Sequence, residues 1–157
     1  MAKKQSRLLI IDDDPVIAAI YRKKFESTGI FVVDLAADAS QGAARILGFQ
    51  PDIVLLDLNL GAKSGLDLLR DLRAVPKFRE LPIVVITGEP EDSPMLAAAS
   101  ASAVTGVLRK DEWSVDAVLS AVHWALQQPL RAAARAQGAA TENSYPDRES
   151  QMRRRYQ

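Results

Sequence analysis

The chain has 157 residues, with 20 Lys+Arg against 20 Asp+Glu, one His and no Cys. That length fits one domain of ordinary size with a tail, and it is enough to bury a sizeable core. The lack of cysteine excludes a disulfide framework, a thiolate metal site and a cysteine nucleophile, and a single histidine excludes a zinc centre built on several imidazoles.

The N-terminal MAKKQSR is basic, but the apolar run after it, Leu8–Ile11, is too short for a signal peptide or a membrane span. A cytoplasmic protein with no membrane contact is expected. Leu8–Ile11 instead has strand length, as do Ile30–Leu35, Ile53–Leu56, Ile83–Ile86 and Val104–Leu108. Four of the five are nearly continuous in Ile, Val and Leu, the pattern of strands buried on both faces. Asp34 interrupts the second, which places it nearer an edge. Helical patterns lie between and after them. Pro15–Ser27 puts Val16, Ile17, Ile20 and Phe25 near one stripe, with Arg22, Lys23 and Lys24 opposite. Asp38–Gly48 is Ala-rich and stops at Gly48-Phe49-Gln50-Pro51. Gly65–Ala74 carries four leucines, Pro94–Ser102 is a short Ala run, and Ser114–Leu126 starts on a plausible N-cap serine. Five successive βα units predict an α/β domain, a parallel sheet with helices on both faces. Beyond Leu126 the pattern fades. Leu130–Gln137 is one more candidate helix, and Ala139–Gln157 reads as a disordered tail. The division expected is therefore a domain over residues 1–128 and a tail over 129–157. The last 31 residues hold six of the basic and three of the acidic groups, so the body is acidic and is not expected to bind nucleic acid.

Ligands of such sheets sit beyond the carboxyl ends of the strands. There the sequence places Asp12, Asp13 and Asp14 after the first run, Asp57 after the third, Thr87 after the fourth, and Arg109 with Lys110 after the fifth. Taken singly each has a structural explanation: Asp14 and Pro15 make a good helix start, and the others suit strand exits. Together they bring several carboxylates, one hydroxyl and one ammonium to one edge. Clustered carboxylates resist ionisation unless a cation relieves them, and Mg²⁺ typically takes one or two carboxylates with phosphate oxygens and water. A carboxylate is also a nucleophile toward phosphorus, and a lysine is a point charge for a phosphate oxygen.

The segments LLIIDDDP, DIVLLDLNLGAKSG, PIVVITGE and TGVLRK, at their intervals, make Arg7–Leu126 resemble the receiver domain of two-component response regulators. The resemblance implies a flavodoxin-like (βα)5 fold with a five-stranded parallel sheet. It implies that Asp57 is the phospho-acceptor and that Mg²⁺ is held by Asp12, Asp13, Asp57 and the backbone carbonyl of Asn59. Thr87 and Lys110 would contact the phosphoryl group. The donor would be a sensor histidine kinase or a phosphotransfer protein, and the output a downstream effector protein or a homodimer. Such a domain is a signalling phospho-acceptor rather than an enzyme, though it catalyses its own phosphorylation and dephosphorylation. The stretch after Leu126 is too short for an output module, so a single-domain regulator is expected.

The chain departs from the family pattern at four places, one of them a residue pair. Gly61 stands where a proline is usual, Asp111 where a cis-linked proline is usual, Ala103-Val104 replaces Gly-Ala before the fifth strand, and Val107 replaces an aromatic. The chemistry looks intact and the read-out surface non-standard, which leaves a phosphorylation-independent adaptor as the alternative. A haloacid-dehalogenase-like phosphatase would use Asp12-x-Asp14, but it needs Gly-Thr next, where Pro15-Val16 stands, and it leaves Asp57 without a role. His123, Trp113 and Trp124 read as packing or interface residues and Arg153–Arg155 as part of a solvated tail.

Overall fold

The computed structural model describes residues 3–62, 64–111, 114–128 and 148–157. Strands β1 (Ser6–Ile11), β2 (Phe31–Ala36), β3 (Ile53–Asp57), β4 (Ile83–Thr87) and β5 (Gly106–Arg109) form one parallel sheet in the order β2-β1-β3-β4-β5. Helices α1 (Pro15–Ser27), α2 (Ala39–Phe49), α3 (Gly65–Ala74), α4 (Pro94–Ala101) and α5 (Val115–Gln127) follow the strands in turn. A sixth helix, α6 (Arg148–Arg155), closes the described chain. This is the flavodoxin-like doubly wound arrangement. The strand order reverses between β1 and β3, so the crevice beyond their carboxyl ends is the ligand position of the fold.

The continuous apolar runs are explained by the two cores. Leu8 and Ile10 of β1, Ile53 and Leu55 of β3, and Val84 and Ile86 of β4 pack with Tyr21 and Phe25 of α1 and Val118 and Val122 of α5. The alternate residues, Leu9, Ile11, Val54, Leu56, Ile83 and Val85, pack on the other face with α2, α3 and α4. Period-two alternation sends successive side chains to opposite cores, so every position must be apolar. β2 lies at an edge, and its Val32 is exposed as expected of an edge strand.

Three expectations are corrected. In α1 the buried face is Ala18, Tyr21 and Phe25, while Val16 and Ile20 are 64% and 46% exposed. The large Tyr21 ring takes the inward position, and at 100° per residue Val16 and Ile20 then turn outward. The fifth strand begins at Gly106 rather than Val104, because Ala103 takes a left-handed φ of 57° and Thr105 N donates to Ile83 O before pairing starts. The end of the chain is not featureless: Arg148–Arg155 is helical, and Met152 and Tyr156 join the α2/α3 core. The candidate helix at Leu130–Gln137 lies outside the described residues, as do Trp113 and the rest of the segment 129–147. Trp124 is 55% exposed and His123 is exposed with its ring against Gln127, so neither packs in the core.

Candidate phosphoryl-acceptor site

β1 and β3 are neighbours, and each ends on an acidic residue or just before one. Asp12 follows β1, Asp57 closes β3, and both are nearly inaccessible at 4% and 2%. Asp13 is exposed beside them. One carboxylate oxygen from each of Asp12, Asp13 and Asp57 lies within 4.8 Å of the others. Asp14 turns away: its Oδ1 accepts from the backbone N of Val16 and Ile17 and caps α1, with Pro15 in the first turn. The Asp12-x-Asp14 pair is thus divided between the cluster and the helix cap.

Lys110 reaches into this cluster from the end of β5, and its Nζ donates to Asp57 Oδ2 at 2.7 Å. The other Asp57 oxygen accepts from Asn59 N at 2.9 Å, and Asp12 Oδ1 accepts from Asp14 N at 2.9 Å. Asp57 is therefore held at both oxygens. Thr87 is fully buried, its carbonyl accepts from Lys110 N at 2.8 Å, and its Oγ1 accepts from Glu89 N at 2.9 Å. Asp57 pairs with Ile86 across the β3–β4 ladder, so Thr87 stands one residue beyond the level of Asp57.

The charges are unevenly compensated. Burial, foremost, raises the Asp12 carboxyl above its ordinary value, and the nearby Asp57 and Asp13 add to this against the Asp14 amide and Lys110. For Lys110 burial works to lower the value, but the hydrogen bond and charge of Asp57, with Asp12 and Asp13, leave it raised. Burial, Asp12 and Asp57 likewise push the Tyr21 phenol up. Excess negative charge on oxygen ligands suits a hard divalent cation, and the residues present fit Mg²⁺.

Two features escaped the motif reading. Gly65, the first residue of α3, packs so closely on the end of β3 that a Cβ there would overlap the carbonyl oxygen of Asp57 and lie 2.9 Å from Leu58 Cα. Its N donates to Leu58 O at 2.9 Å. The second feature is a hydrogen-bonded run in which Glu89 N donates to Thr87 Oγ1, and Ser93 Oγ, of the N-cap residue of α4, donates to Glu89 Oε2 at 2.7 Å. Gly61, at the usual proline position, has φ 76°, which proline cannot adopt. The Lys110–Asp111 bond is trans, and Asp111 makes a forked ion pair with Arg109.

A family description, the response regulator receiver domain, matches residues 8–123. The chain belongs to that family, whose members are signalling domains of two-component systems. Among curated proteins it is 35% identical over 81 residues to the DNA-binding dual master transcriptional regulator RpaA of Synechocystis, covering 52% of this chain and 33% of that one. It is also 35% identical over 89 residues to the DNA-binding response regulator MtrA of Mycolicibacterium smegmatis, covering 57% of this chain and 37% of that one. The chain thus spans little more than a third of these relatives' length. Among solved structures, a sensor protein from Polaromonas sp. JS666 superposes with TM-score 0.70 at 28% identity, covering 78% of this chain and 97% of that one. A response regulator from Burkholderia pseudomallei with a phosphorylated aspartic acid and a calcium ion shares the fold at TM-score 0.64 and 24% identity, covering 90% and 76%. No helix of the described residues is long and apolar enough to cross a membrane.

Proposed function

We propose that residues 1–128 act as a receiver that takes a phosphoryl group on Asp57 from a sensor histidine kinase or a phosphotransfer protein. The observation that carries this reading is the 2.7 Å contact of Lys110 Nζ with Asp57 Oδ2 beside the Asp12–Asp13–Asp57 cluster. Asp12, Asp13, Asp57 and the backbone carbonyl of Asn59 would hold Mg²⁺, which would supply positive charge against the carboxylate and phosphoryl oxygens. An Asp57 carboxylate oxygen forms the new P–O bond as the bond from phosphorus to the donor's leaving atom breaks, giving an acyl phosphate. Lys110, whose raised value keeps it protonated, transfers its hydrogen bond to a phosphoryl oxygen. Thr87 donates its hydroxyl proton to another, which draws it from its present place beside Glu89. The solved Burkholderia relative with its phosphorylated aspartic acid and calcium ion supports this chemistry by analogy. The output is a phosphorylation-dependent contact with an effector protein or a second copy, in the cytoplasm, without nucleic acid or membrane. Acetyl phosphate and Mg²⁺ should add one phosphoryl group to the wild-type chain and none to Asp57→Asn, as read by intact-mass spectrometry. Full phosphorylation of Asp57→Asn would reject the assignment.

A further inference from the structure

Helix α4 is held unequally at its two ends. It runs from the carboxyl edge of the sheet, where Asp57 and Thr87 lie, to the amino edge, where β5 begins. Along its length it buries Leu96 and Ala99. At its first end the N-cap Ser93 Oγ donates to Glu89 Oε2 and accepts from Met95 N, and Glu89 N donates to Thr87 Oγ1. These are hydroxyl and carboxylate contacts, for which water is a ready substitute.

The far end is gripped by Arg73, from the last turn of α3. Nε donates to Ser102 O at 3.1 Å, Nη1 to Phe78 O at 2.6 Å, and Nη2 to Leu81 O at 2.8 Å and to Ala103 O at 3.1 Å. All of these acceptors are backbone carbonyls. Phe78 and Leu81 belong to the turn that leads into β4, Ser102 and Ala103 to the turn between α4 and β5. One rigid plane thus ties α3 to both turns, which the fixed fork of arginine can do and the single ammonium of lysine cannot. Burial pulls the guanidinium down to about 10, so it is still charged at neutral pH. Releasing it would leave a half-buried charge and its carbonyls without their partners.

The gripped turn has a conformation that needs holding. Ser102, the C-cap of α4, donates its N to Ala99 O and its Oγ to Ala98 O. Ala103 then takes a left-handed φ of 57°, which an alanine adopts only where its surroundings impose it. Arg73 binds the carbonyls on either side of the Ala103 Cα. Immediately beyond, Thr105 N donates to Ile83 O at 2.8 Å and the pairing of β5 with β4 begins.

We propose that Arg73 is the fulcrum of α4: it pins the C-terminal end of the helix and the entry to β5, so that a displacement of Thr87 turns α4 about that end and is not passed into β5. The surface that changes is then the loop after β4 and the first turn of α4, while the α4–β5 turn stays fixed on α3. Arg73 is a positioning residue, at the sheet edge opposite Asp57. The acceptor reading enters only as the cause of the displacement. The experiment below uses no phosphoryl group, so its failure and the failure of that reading are distinguishable.

The test is amide hydrogen exchange of the full chain, read residue by residue by NMR. Ser93→Ala removes the N-cap hydroxyl and its bond to Glu89. Exchange at Ala97 N, which donates to Ser93 O, should rise about fivefold, while Ser102 N and Thr105 N change by less than about twofold. Arg73→Lys added to Ser93→Ala keeps the charge and loses the fork. The rise should then extend to Ser102 N and Thr105 N, by about tenfold, with the amides of β1 and β3 unmoved. A rise at Thr105 N in Ser93→Ala alone would overturn the proposal, and this arm stands even if the Arg73 variant does not fold. Unchanged exchange at Ser102 N and Thr105 N in the double variant would overturn it too. So would an equal rise in β1 and β3, which would make Arg73 a general prop of the fold.

Discussion

Two helical glycines should respond with opposite signs to the same substitution. Gly48, near the end of α2, has nothing within 4 Å of the place a Cβ would occupy. Gly48→Ala there removes only the entropy cost of glycine in a helix, and a gain of about 0.5–1 kcal/mol is expected. Gly65→Ala enjoys a similar propensity change but meets backbone: the new Cβ overlaps the Asp57 carbonyl oxygen and stands 2.9 Å from Leu58 Cα and 3.1 Å from Asp57 C. Carbon pairs settle at roughly 3.5–4.0 Å, so the chain must part by about 0.5–1 Å. Backbone cannot rotate away as a side-chain tip can, and overpacking of this kind costs about 1–3 kcal/mol. The net expectation is a loss of about 1–2 kcal/mol for Gly65→Ala. The displaced atoms belong to the acceptor itself, so its chemistry should suffer too. A misplacement near 1 Å can lower a rate by roughly 100-fold. Urea unfolding of both variants gives the stabilities, and the rate of phosphorylation by acetyl phosphate gives the chemistry. Gly65→Ala that matches wild type in both would show that the close approach of α3 to the acceptor has no energetic weight.

Mg²⁺ should raise the melting temperature by mass action on the folded state, and Asp13→Ala should abolish most of that shift. An unchanged shift in the variant would place the cation elsewhere. Lys110 binds its proton more tightly folded than unfolded, so its pairing with Asp57 contributes fully below the ordinary lysine value of 10.5 and is lost as pH rises through the higher folded value. Wild type should accordingly lose stability above pH 10.5 faster than Lys110→Met, and parallel pH curves would contradict this. Val107 is β-branched and half-buried beside the α4 core, so it cannot swing as an aromatic would. Beryllofluoride with Mg²⁺ should alter hydrogen exchange from Thr87 through Ser102 more than in α5, through the Thr87–Glu89–Ser93 run. Protection changes centred on α5 alone would show another exit for the signal.

How much of this was legible before the structure depends on the range of each cause. The strands β1, β3 and β4 were visible because burial on both faces leaves little room for polar residues, a constraint written into Leu8–Ile11, Ile53–Leu56 and Ile83–Ile86. The convergence of Asp12, Asp57, Thr87 and Lys110 followed from topology, since a parallel sheet brings all strand ends to one edge. What spacing alone could not supply was the reach of Lys110 across 53 positions to Asp57 Oδ2. Other features depend on single neighbours. The inward face of α1 was misjudged because counting apolar residues weighs Val16 and Ile20 equally with Tyr21, whereas packing rewards the side chain that fills the space above β1. The tail composition of RESQMRRRYQ is overwhelmingly polar, and an average is blind to two anchors such as Met152 and Tyr156. Gly65 looked like any glycine at a helix start, because the reason for it is the Asp57 backbone, eight residues away and on another element. The same contact divides the surroundings of Asp57 into two kinds. Asp57 is fixed from behind by α3 through Gly65 and Leu58, and from the front by Lys110 and Asn59 N. On the other side, Thr87 and the loop to α4 are linked to one another by hydroxyl and carboxylate hydrogen bonds, Glu89 N donating to Thr87 Oγ1 and Ser93 Oγ donating to Glu89 Oε2. A new charge on Asp57 therefore meets close-packed backbone on one side and exchangeable hydrogen bonds on the other, and it is the second side that can rearrange.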